Sequence, residues 1–487
     1  MIVDRPQNLF MSDEKSGDFT ARHVAHWDEI AQKRSDPSLF GREYYRRLFA
    51  IYGQLIPRGL RVLEVGSGSG DLLASLQPSA GIGVDFSADM VGWASARHPD
   101  LQFVVADAHR LERIEGPFDA IVLSDLLNDI WDVQGVLGEL QKLCIRRTRL
   151  VLNVYSHLWE APLRAAAACK LARPKLRQNW LTLEDVNNLL VLSGFEMVSH
   201  REEILFPVPI PGLRALMNEY AVKLWPFRYF ALTHVVVARP APQAAGPAKP
   251  TVSVVVPARN EAGNIERIVN EVPQMGAATE LVFVEGHSTD DTFATIEAAM
   301  QARPARNIRL YRQTGTGKGD AVRLGFENAS GDVLMVLDGD LTVDPATLPR
   351  FYEALCSGRG EFINGVRLVY PMEKQAMRSL NFLGNKFFSL AFSWLLGQPI
   401  KDTLCGTKVL RREDYQRIAR NRHYFGEFDP FGDFDLLFGA AKLNLKIVEL
   451  PVRYGARRYG TTNIERWRHG WLLLKMVVFA ARRIKFV

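Results

Sequence analysis

With 487 residues, 47 % hydrophobic and 23 % charged, the chain is too long for one ordinary core and points to two or three domains of soluble composition. A net charge of +6 and a pI near 9.0 favour anionic partners, with phosphorylated substrates, an anionic membrane surface and nucleic acid all open at this level. The four cysteines, Cys144, Cys169, Cys356 and Cys405, have no C-x-x-C spacing, which excludes a zinc ribbon or a disulfide framework and fits a reducing compartment.

The opening Met1-Ile-Val-Asp-Arg-Pro6 has no basic stretch followed by an apolar one, so no secretory signal is expected. No run reaches the ~18–20 apolar residues that a bilayer span requires. The longest, Phe387 to Ile400, is bounded by Lys386 and Lys401 and suits a core or interfacial helix.

Up to about Ile56 the spacing of Trp27, Ile30, Tyr44, Tyr45, Leu48 and Phe49 is helical. Arg61 to Leu73 then runs from a short apolar strand through Glu64-Val-Gly-Ser-Gly-Ser-Gly70 into a helix. Gly66, Gly68 and Gly70 let backbone approach a ligand closely. A second strand, Gly81-Ile-Gly-Val-Asp85, ends in an acid about 20 residues on, the spacing of a ribose-binding carboxylate. A third ends at Asp107, and a fourth covers Phe118 to Ser124.

These four elements, in this order, resemble the class I S-adenosylmethionine-dependent methyltransferases over roughly 20–238. The resemblance implies that Asp85 holds the ribose hydroxyls and Asp107 the adenine amine, while Glu64, Gly66 and Gly68 line the methionine end. The fourth motif, Ser124-Asp-Leu-Leu-Asn-Asp-Ile130, is not the N-P-P-Y type used on nucleic-acid amino groups, so no nucleic-acid acceptor is expected. His26, His157 and Asp129 are available as bases and equally readable as structural; the methyl acceptor stays open.

Gly194 to Val198 reads as a further strand, and Phe206-Pro-Val-Pro-Ile-Pro-Gly212 as a rigid excursion. Leu213 to Phe230 reads as a helix and its exit, interrupted by Pro226, and His234 to Ala238 as a closing strand. Residues 239–250, rich in proline and alanine, read as a linker.

A second α/β unit opens with Thr251 to Asn264, in which a buried strand ends at Pro257. Glu280 to Glu285 leads into Gly-His-Ser-Thr-Asp-Asp-Thr292. Gly315-Thr-Gly-Lys-Gly319 sets Lys318 before a helix, where it could meet a phosphate. Val333 to Leu337 ends in Asp338-Gly-Asp340, two carboxylates suited to Mg²⁺ or Mn²⁺ and equally compatible with a plain Asp-Gly turn. Alternating strands and helices imply a mostly parallel sheet with ligands at the strand carboxyl ends.

This half resembles the inverting family 2 glycosyltransferases of GT-A fold over roughly 251–465, and within them the dolichol- and polyprenyl-phosphate sugar transferases. Pro257-Ala-Arg-Asn-Glu261 resembles P-x-Y-N-E, with Arg259 at the aromatic position, and Asp338-Gly-Asp340 matches D-x-D. Arg367 stands where the family has a phosphate-binding arginine. Asp402-Thr-Leu-Cys-Gly406 resembles the acceptor-side D-x-x-x-G, and Arg457-Arg-Tyr-Gly460 the closing segment. The resemblance implies a nucleotide sugar held by Pro257, Arg259, Glu261, Glu285, Lys318, Asp338, Arg367 and Arg457, a metal on Asp338 and Asp340, and Asp402 as the base where one is needed. Asp433 and Asp435 are second choices. Glu285-Gly-His-Ser288 replaces the usual D-D-x-S, which leaves GDP or UDP open. Asn463 replaces a lysine, a loss Arg458 would have to make good.

Lipid acceptors need an interfacial surface, and two segments qualify: Leu380 to Leu396, and residues 466–487. In the latter, Trp467, Trp471, Leu474 and Val478 share a helical face and Arg468, Lys475 and Arg482 are expected opposite; packing within the protein is the competing reading. The expected architecture is α/β in two domains, a Rossmann-like class I methyltransferase sheet and a GT-A sheet joined by a Pro/Ala linker. The expected enzyme is cytoplasmic, peripheral at the inner face of the cytoplasmic membrane, and uses S-adenosylmethionine, Mg²⁺ or Mn²⁺, a nucleotide sugar and a polyprenyl phosphate. The alternative is a glycosyltransferase acting on a soluble or cell-envelope glycan with a non-catalytic cofactor-binding or docking module. Oligomeric state is not legible.

Overall fold

A computed structural model describes residues 13–33, 39–169, 176, 178–242, 249–367, 379–422, 434–455, 457, 459 and 466–486. The chain divides into two compact units, Met1–Ala241 and Pro242–Val487.

The first unit is built on seven strands: β1 (Arg61–Val65), β2 (Ala80–Asp85), β3 (Gln102–Val105), β4 (Ala120–Leu123), β5 (Arg149–Tyr155), β6 (Phe195–Glu203) and β7 (Thr233–Pro240). Their order is β3-β2-β1-β4-β5-β7-β6, with β7 antiparallel to both neighbours. Side chains alternate across the sheet, so Leu63 and Val65 enter one apolar cluster and Val62 the other. The helical N-terminal region comprises two helices, Asp13–Gln32 and Leu39–Leu55. The second buries Tyr44, Leu48, Ile51, Tyr52 and Leu55 against the sheet at helical spacing.

One segment differs from its sequence reading. β7 runs on to Pro240, so Arg239 lies in a strand, buried and ion-paired with Glu196, and the Ala241 amide donates to the Gly194 carbonyl at 2.8 Å. Residues 243–248 lie outside the described residues. The stretch after Gly212 is a helix and its exit, as read from the sequence: helical backbone runs without a break through Leu213–Ala215, Leu216–Tyr220 and Ala221–Lys223, and a last turn, Phe227–Phe230, follows Pro226.

The second unit also has seven strands: β8 (Val252–Ala258), β9 (Thr279–Glu285), β10 (Ile308–Arg312), β11 (Val333–Val336), β12 (Phe362–Val366), β13 (Lys408–Arg411) and β14 (Ile447–Pro451). The order is β10-β9-β8-β11-β13-β12-β14, parallel except for β13. After β8 the chain moves to β9 and β10 on one side, then returns to β11 on the other. The carboxyl ends of β8 and β11 therefore flank a topological switch point, where open α/β sheets bind ligands.

Helix Arg466–Ala480 continues as a turn over Ala481–Lys485. It buries Leu473, Met476, Ala480 and Ile484 in the same cluster as Phe392, Leu395 and Leu396 of helix Ser379–Leu396. Trp471, Leu474 and Val478 point outward. Lys475 sits beside Trp471, its Nζ 5.9 Å from the ring, and not on the opposite face as expected. Residues four apart on a helix are neighbours, and the opposite face is the buried one.

Candidate active sites

In the second unit β8, β9 and β11 end side by side, because Ala258 pairs with Glu285 and Val336 with Val255. Pro257 closes β8, and Arg259 is exposed just beyond it. Asn260 takes φ +57°, its amide donating to the Ser288 hydroxyl at 3.0 Å while its side-chain oxygen accepts from the Thr289 amide at 2.7 Å. The two turns after β8 and β9 are thereby locked together. Glu285 accepts from the Ser288 amide at 2.5 Å, and the His287 ring bonds the Gly315 carbonyl at 2.9 Å, tying the second turn to the loop before Lys318.

Each carboxylate of the Asp338-Gly-Asp340 turn meets a cation. Lys318 Nζ is 2.7 Å from Asp338 Oδ1, and Arg457 donates to Asp340 Oδ2 at 2.6 Å. Burial works against ionising Asp338, but the Lys318 ammonium outweighs it and holds the carboxyl below the usual range. Gly406 is required beside it, since a Cβ there would fall on the Asp338 carboxylate. Asp340 Oδ1 accepts from the Thr342 amide and hydroxyl at 3.1 and 2.8 Å, which fixes its rotamer. Arg457 reaches the site because Tyr454 bridges to Val343 and the Gly455 amide bonds the Thr342 carbonyl at 2.9 Å.

Glu261 lies under this turn. Burial pushes its carboxyl up to about 7, against a hydrogen bond from Asn264 at 2.7 Å. An all-oxygen donor set fits a hard divalent cation. Among the described residues no cluster of three or more His, Cys, Asp or Glu side chains is placed to hold a metal. A cation on Asp338 and Asp340 would thus take its remaining ligands from substrate phosphate and water.

Arg367 and Asp402 are brought together, but onto each other. The guanidinium donates twice to the carboxylate, at 2.7 and 2.8 Å, and the Arg367 and Leu404 amides each add a bond at 3.1 Å. Burial would raise the Asp402 carboxyl, yet the Arg367 charge outweighs it and holds the group well down. A carboxylate so paired is a weak proton acceptor, and the arginine is equally committed. Asn364 bonds the Asp402 carbonyl at 2.7 Å, and Glu449 accepts from the Asp402 amide at 3.2 Å, so the pair sits on a rigid support. Asp435 is ion-paired with Arg422 at 2.8 Å; Asp433, Arg458 and Asn463 lie outside the described residues.

One participant escaped sequence reasoning. Asp290 accepts from the Thr292 amide and hydroxyl, the Ala262 amide and, at 3.2 Å, the Tyr459 hydroxyl, joining the helix after β8 to the closing segment. Its signal was the Ser-Thr-Asp-Asp-Thr run, a capping pattern that any helix start can show.

In the first unit the glycine-rich turn follows β1. Gly66 and Gly68 have φ +75° and +50°, conformations that disfavour a side chain, and a Cβ on Gly68 would meet nothing within 4 Å. Gly68 donates to Asp85 Oδ2 at 2.9 Å and Ser87 to Oδ1 at 3.0 Å, so the carboxylate at the end of β2 braces the turn. Glu64 is buried and accepts from the Leu73 amide at 3.1 Å, facing the helix start and not the open side. Burial pushes its carboxyl up to about 8. Asp107 accepts from the His109 amide and ring at 2.9 and 2.7 Å on one oxygen. The open space over Gly68 and the buried Ser67 hydroxyl without a partner fit a ligand approaching this turn, as S-adenosylmethionine would. Asp129 receives Gln178 at 3.0 Å, and His157 lies 3.7 Å from Glu160.

Two family descriptions match: "Methyltransferase domain" over residues 39–200 and "Glycosyl transferase family 2" over 253–419. Among curated proteins, the chain is 29 % identical over 229 residues to glycosyltransferase AglJ of Haloferax volcanii, covering 47 % of this chain and 71 % of that one. It is 28 % identical over 246 residues to a dolichol-phosphate mannosyltransferase of Pyrococcus furiosus, covering 48 % and 67 %. It is 26 % identical over 216 residues to an undecaprenyl-phosphate 4-deoxy-4-formamido-L-arabinose transferase of Sodalis glossinidius, covering 43 % and 61 %. All three matches cover less than half of this chain. The chain thus carries two transferase domains in succession, a methyltransferase domain and a glycosyl transferase family 2 domain.

Proposed function

We propose that the second unit transfers a hexosyl group, with inversion, from a nucleotide sugar to a polyprenyl phosphate at the inner face of the cytoplasmic membrane. The first unit would be an S-adenosylmethionine-dependent methyltransferase. The observation that carries the first proposal is the meeting of Lys318 and Arg457 with Asp338 and Asp340 at the switch point. The printed substrates of two relatives, a dolichol phosphate and an undecaprenyl phosphate, support the choice of acceptor.

The chemistry follows from charge. As the anomeric C–O bond breaks, its electron pair moves to the diphosphate, and an acceptor oxygen forms the new bond from the opposite face. Lys318 and Arg457, each beside a carboxylate of this turn, would neutralise the departing diphosphate in a partly buried site, where preorganised charge acts most strongly. A Mg²⁺ or Mn²⁺ held by Asp338 and Asp340 would add further neutralisation. A phosphate monoester, with a second pKa of about 6, is largely ionised at pH 7 and needs no base. That agrees with the Arg367–Asp402 pair acting as a support for the site. Membrane association is supported by the outward Phe387, Leu390, Trp471, Leu474 and Val478, with Lys475, Arg482 and Arg483 exposed nearby. Among the described residues no helix is long and apolar enough to cross a membrane.

The test for this half is transfer of radiolabel from GDP- and UDP-sugars, with Mg²⁺, to undecaprenyl phosphate in an organic extract. Label appearing only in a water-soluble glycan contradicts the proposal. For the other half, calorimetric titration of the full chain with S-adenosylmethionine should show binding, and its absence would favour a docking role.

A further inference from the structure

The two cations of the acid-bearing turn are held in different ways. Lys318 opens a helix, Lys318–Asn328, whereas Arg457 lies in neither helix nor strand. A long side chain on irregular backbone keeps one placement only where the chain on both sides of it is anchored. The near side is secured by the Tyr454–Val343 bridge and the bond from the Gly455 amide to the Thr342 carbonyl at 2.9 Å. The Arg367 guanidinium adds to it, 5.2 Å from the centre of the Tyr454 ring. All of these anchors precede Arg457, and the anchor beyond it is Tyr459.

Tyr459 is seated in two directions at once. Its ring lies on Gly263, the second residue of helix Ala262–Glu271. A Cβ at position 263 would stand 2.5 Å from Tyr459 Cδ2 and 2.9 Å from its Cγ, so glycine is what lets the ring reach the helix backbone. The Tyr459 hydroxyl donates to Asp290 Oδ2 at 3.2 Å. Asp290 is itself fixed, because the same oxygen accepts from the Ala262 amide at 3.3 Å and its partner oxygen from the Thr292 amide at 3.0 Å. Between the two anchors, Arg457 donates to Asp340 at 2.6 Å.

We propose that Tyr459 is a positioning residue: seated on Gly263 and Asp290, it fixes the far side of Arg457 and so holds the guanidinium at the acid-bearing turn. The inference rests on the glycosyl-transfer reading of this site and adds to it the residues that set one of its cations. Charge that is already in place costs no reorganisation as the diphosphate departs. Loosening Arg457 should therefore lower kcat more than it raises the KM for the donor. A tyrosine that only stabilised the fold would change the melting temperature, and its effect on transfer would not depend on Arg457.

The test is a mutant cycle on the full chain. Gly263→Ala unseats the ring while leaving Arg457, Asp340 and Asp290 unchanged, and alanine is the better helix former, so the fold should not suffer. Tyr459→Phe removes only the bond to Asp290. Transfer of label from GDP- and UDP-sugars, with Mg²⁺, to undecaprenyl phosphate is measured for each variant alone and combined with Arg457→Ala, alongside melting temperatures. The expected result is a kcat about tenfold or more lower in Gly263→Ala, with the donor KM within about twofold. Once Arg457 is alanine, Gly263→Ala should have no further effect. Tyr459→Phe, combined with Arg457→Ala in the same way, carries the test should Gly263→Ala not fold. Transfer unchanged by both variants, or an equal fractional loss with and without Arg457, overturns the inference and leaves the transfer reading standing. An unaltered chain that transfers sugar from no donor overturns that reading, and the inference with it.

Discussion

Asp338 and Asp340 are each balanced by a cation from a distant part of the chain, so the turn that bears them is a small charge network and not a lone acidic motif. Replacing Asp340 with Ala should lower glycosyl transfer by on the order of 10²–10³-fold, measured at saturating Mg²⁺; activity within a few-fold of the unaltered enzyme would remove the carboxylate from the site. Asp402→Ala strands the buried Arg367 charge and should cost about 3–5 kcal/mol, read as a lowered melting temperature for the second unit. Asp402→Asn tests base catalysis separately. If the pair is a support, the pH dependence of residual activity is unchanged; a lost acidic limb would restore Asp402 as the base. Glu64 gives a stability prediction with a defined sign. Its carboxyl is raised from 4.5 to about 8 in the fold, so its contribution is complete below about pH 4.5 and is lost as pH rises through 8. Glu64→Gln should flatten the decline in melting temperature between pH 5 and 9.

At the scale of elements, strands ending in chemistry were the most legible feature. Val333 to Leu337 is an unbroken apolar run because both faces of β11 are covered, and the carboxylates begin where the cover stops. What sequence could not supply was partnership across distance. Arg367 and Asp402 each match a motif, but that they consume one another depends on β12 lying beside the loop before β13. Nor does composition tell which side of an amphipathic helix is buried: Lys475 was expected opposite the tryptophans and stands beside Trp471. The 213–230 stretch read as a helix and its exit from its residues, and it is helical from Leu213 to Lys223 with a last turn after Pro226; that Leu213, Leu216, Tyr220 and Leu224 stay exposed along it was not legible.

Across the whole molecule, two α/β units each place a glycine- or acid-bearing turn at the carboxyl ends of central strands, and each leaves an apolar surface uncovered. On the proposed function the glycine-rich turn would take a cofactor approached by backbone, and the acid-bearing turn a diphosphate met by cations. The measurement that bears most directly on this assignment is the organic-phase transfer of sugar from a panel of labelled nucleotide sugars, with undecaprenyl phosphate present or omitted. The expected result is metal-dependent label in the organic phase only when the lipid phosphate is present, lost in Asp340→Ala. Label that stays in the aqueous phase for every donor, or that enters a water-soluble glycan with the lipid omitted, would contradict it.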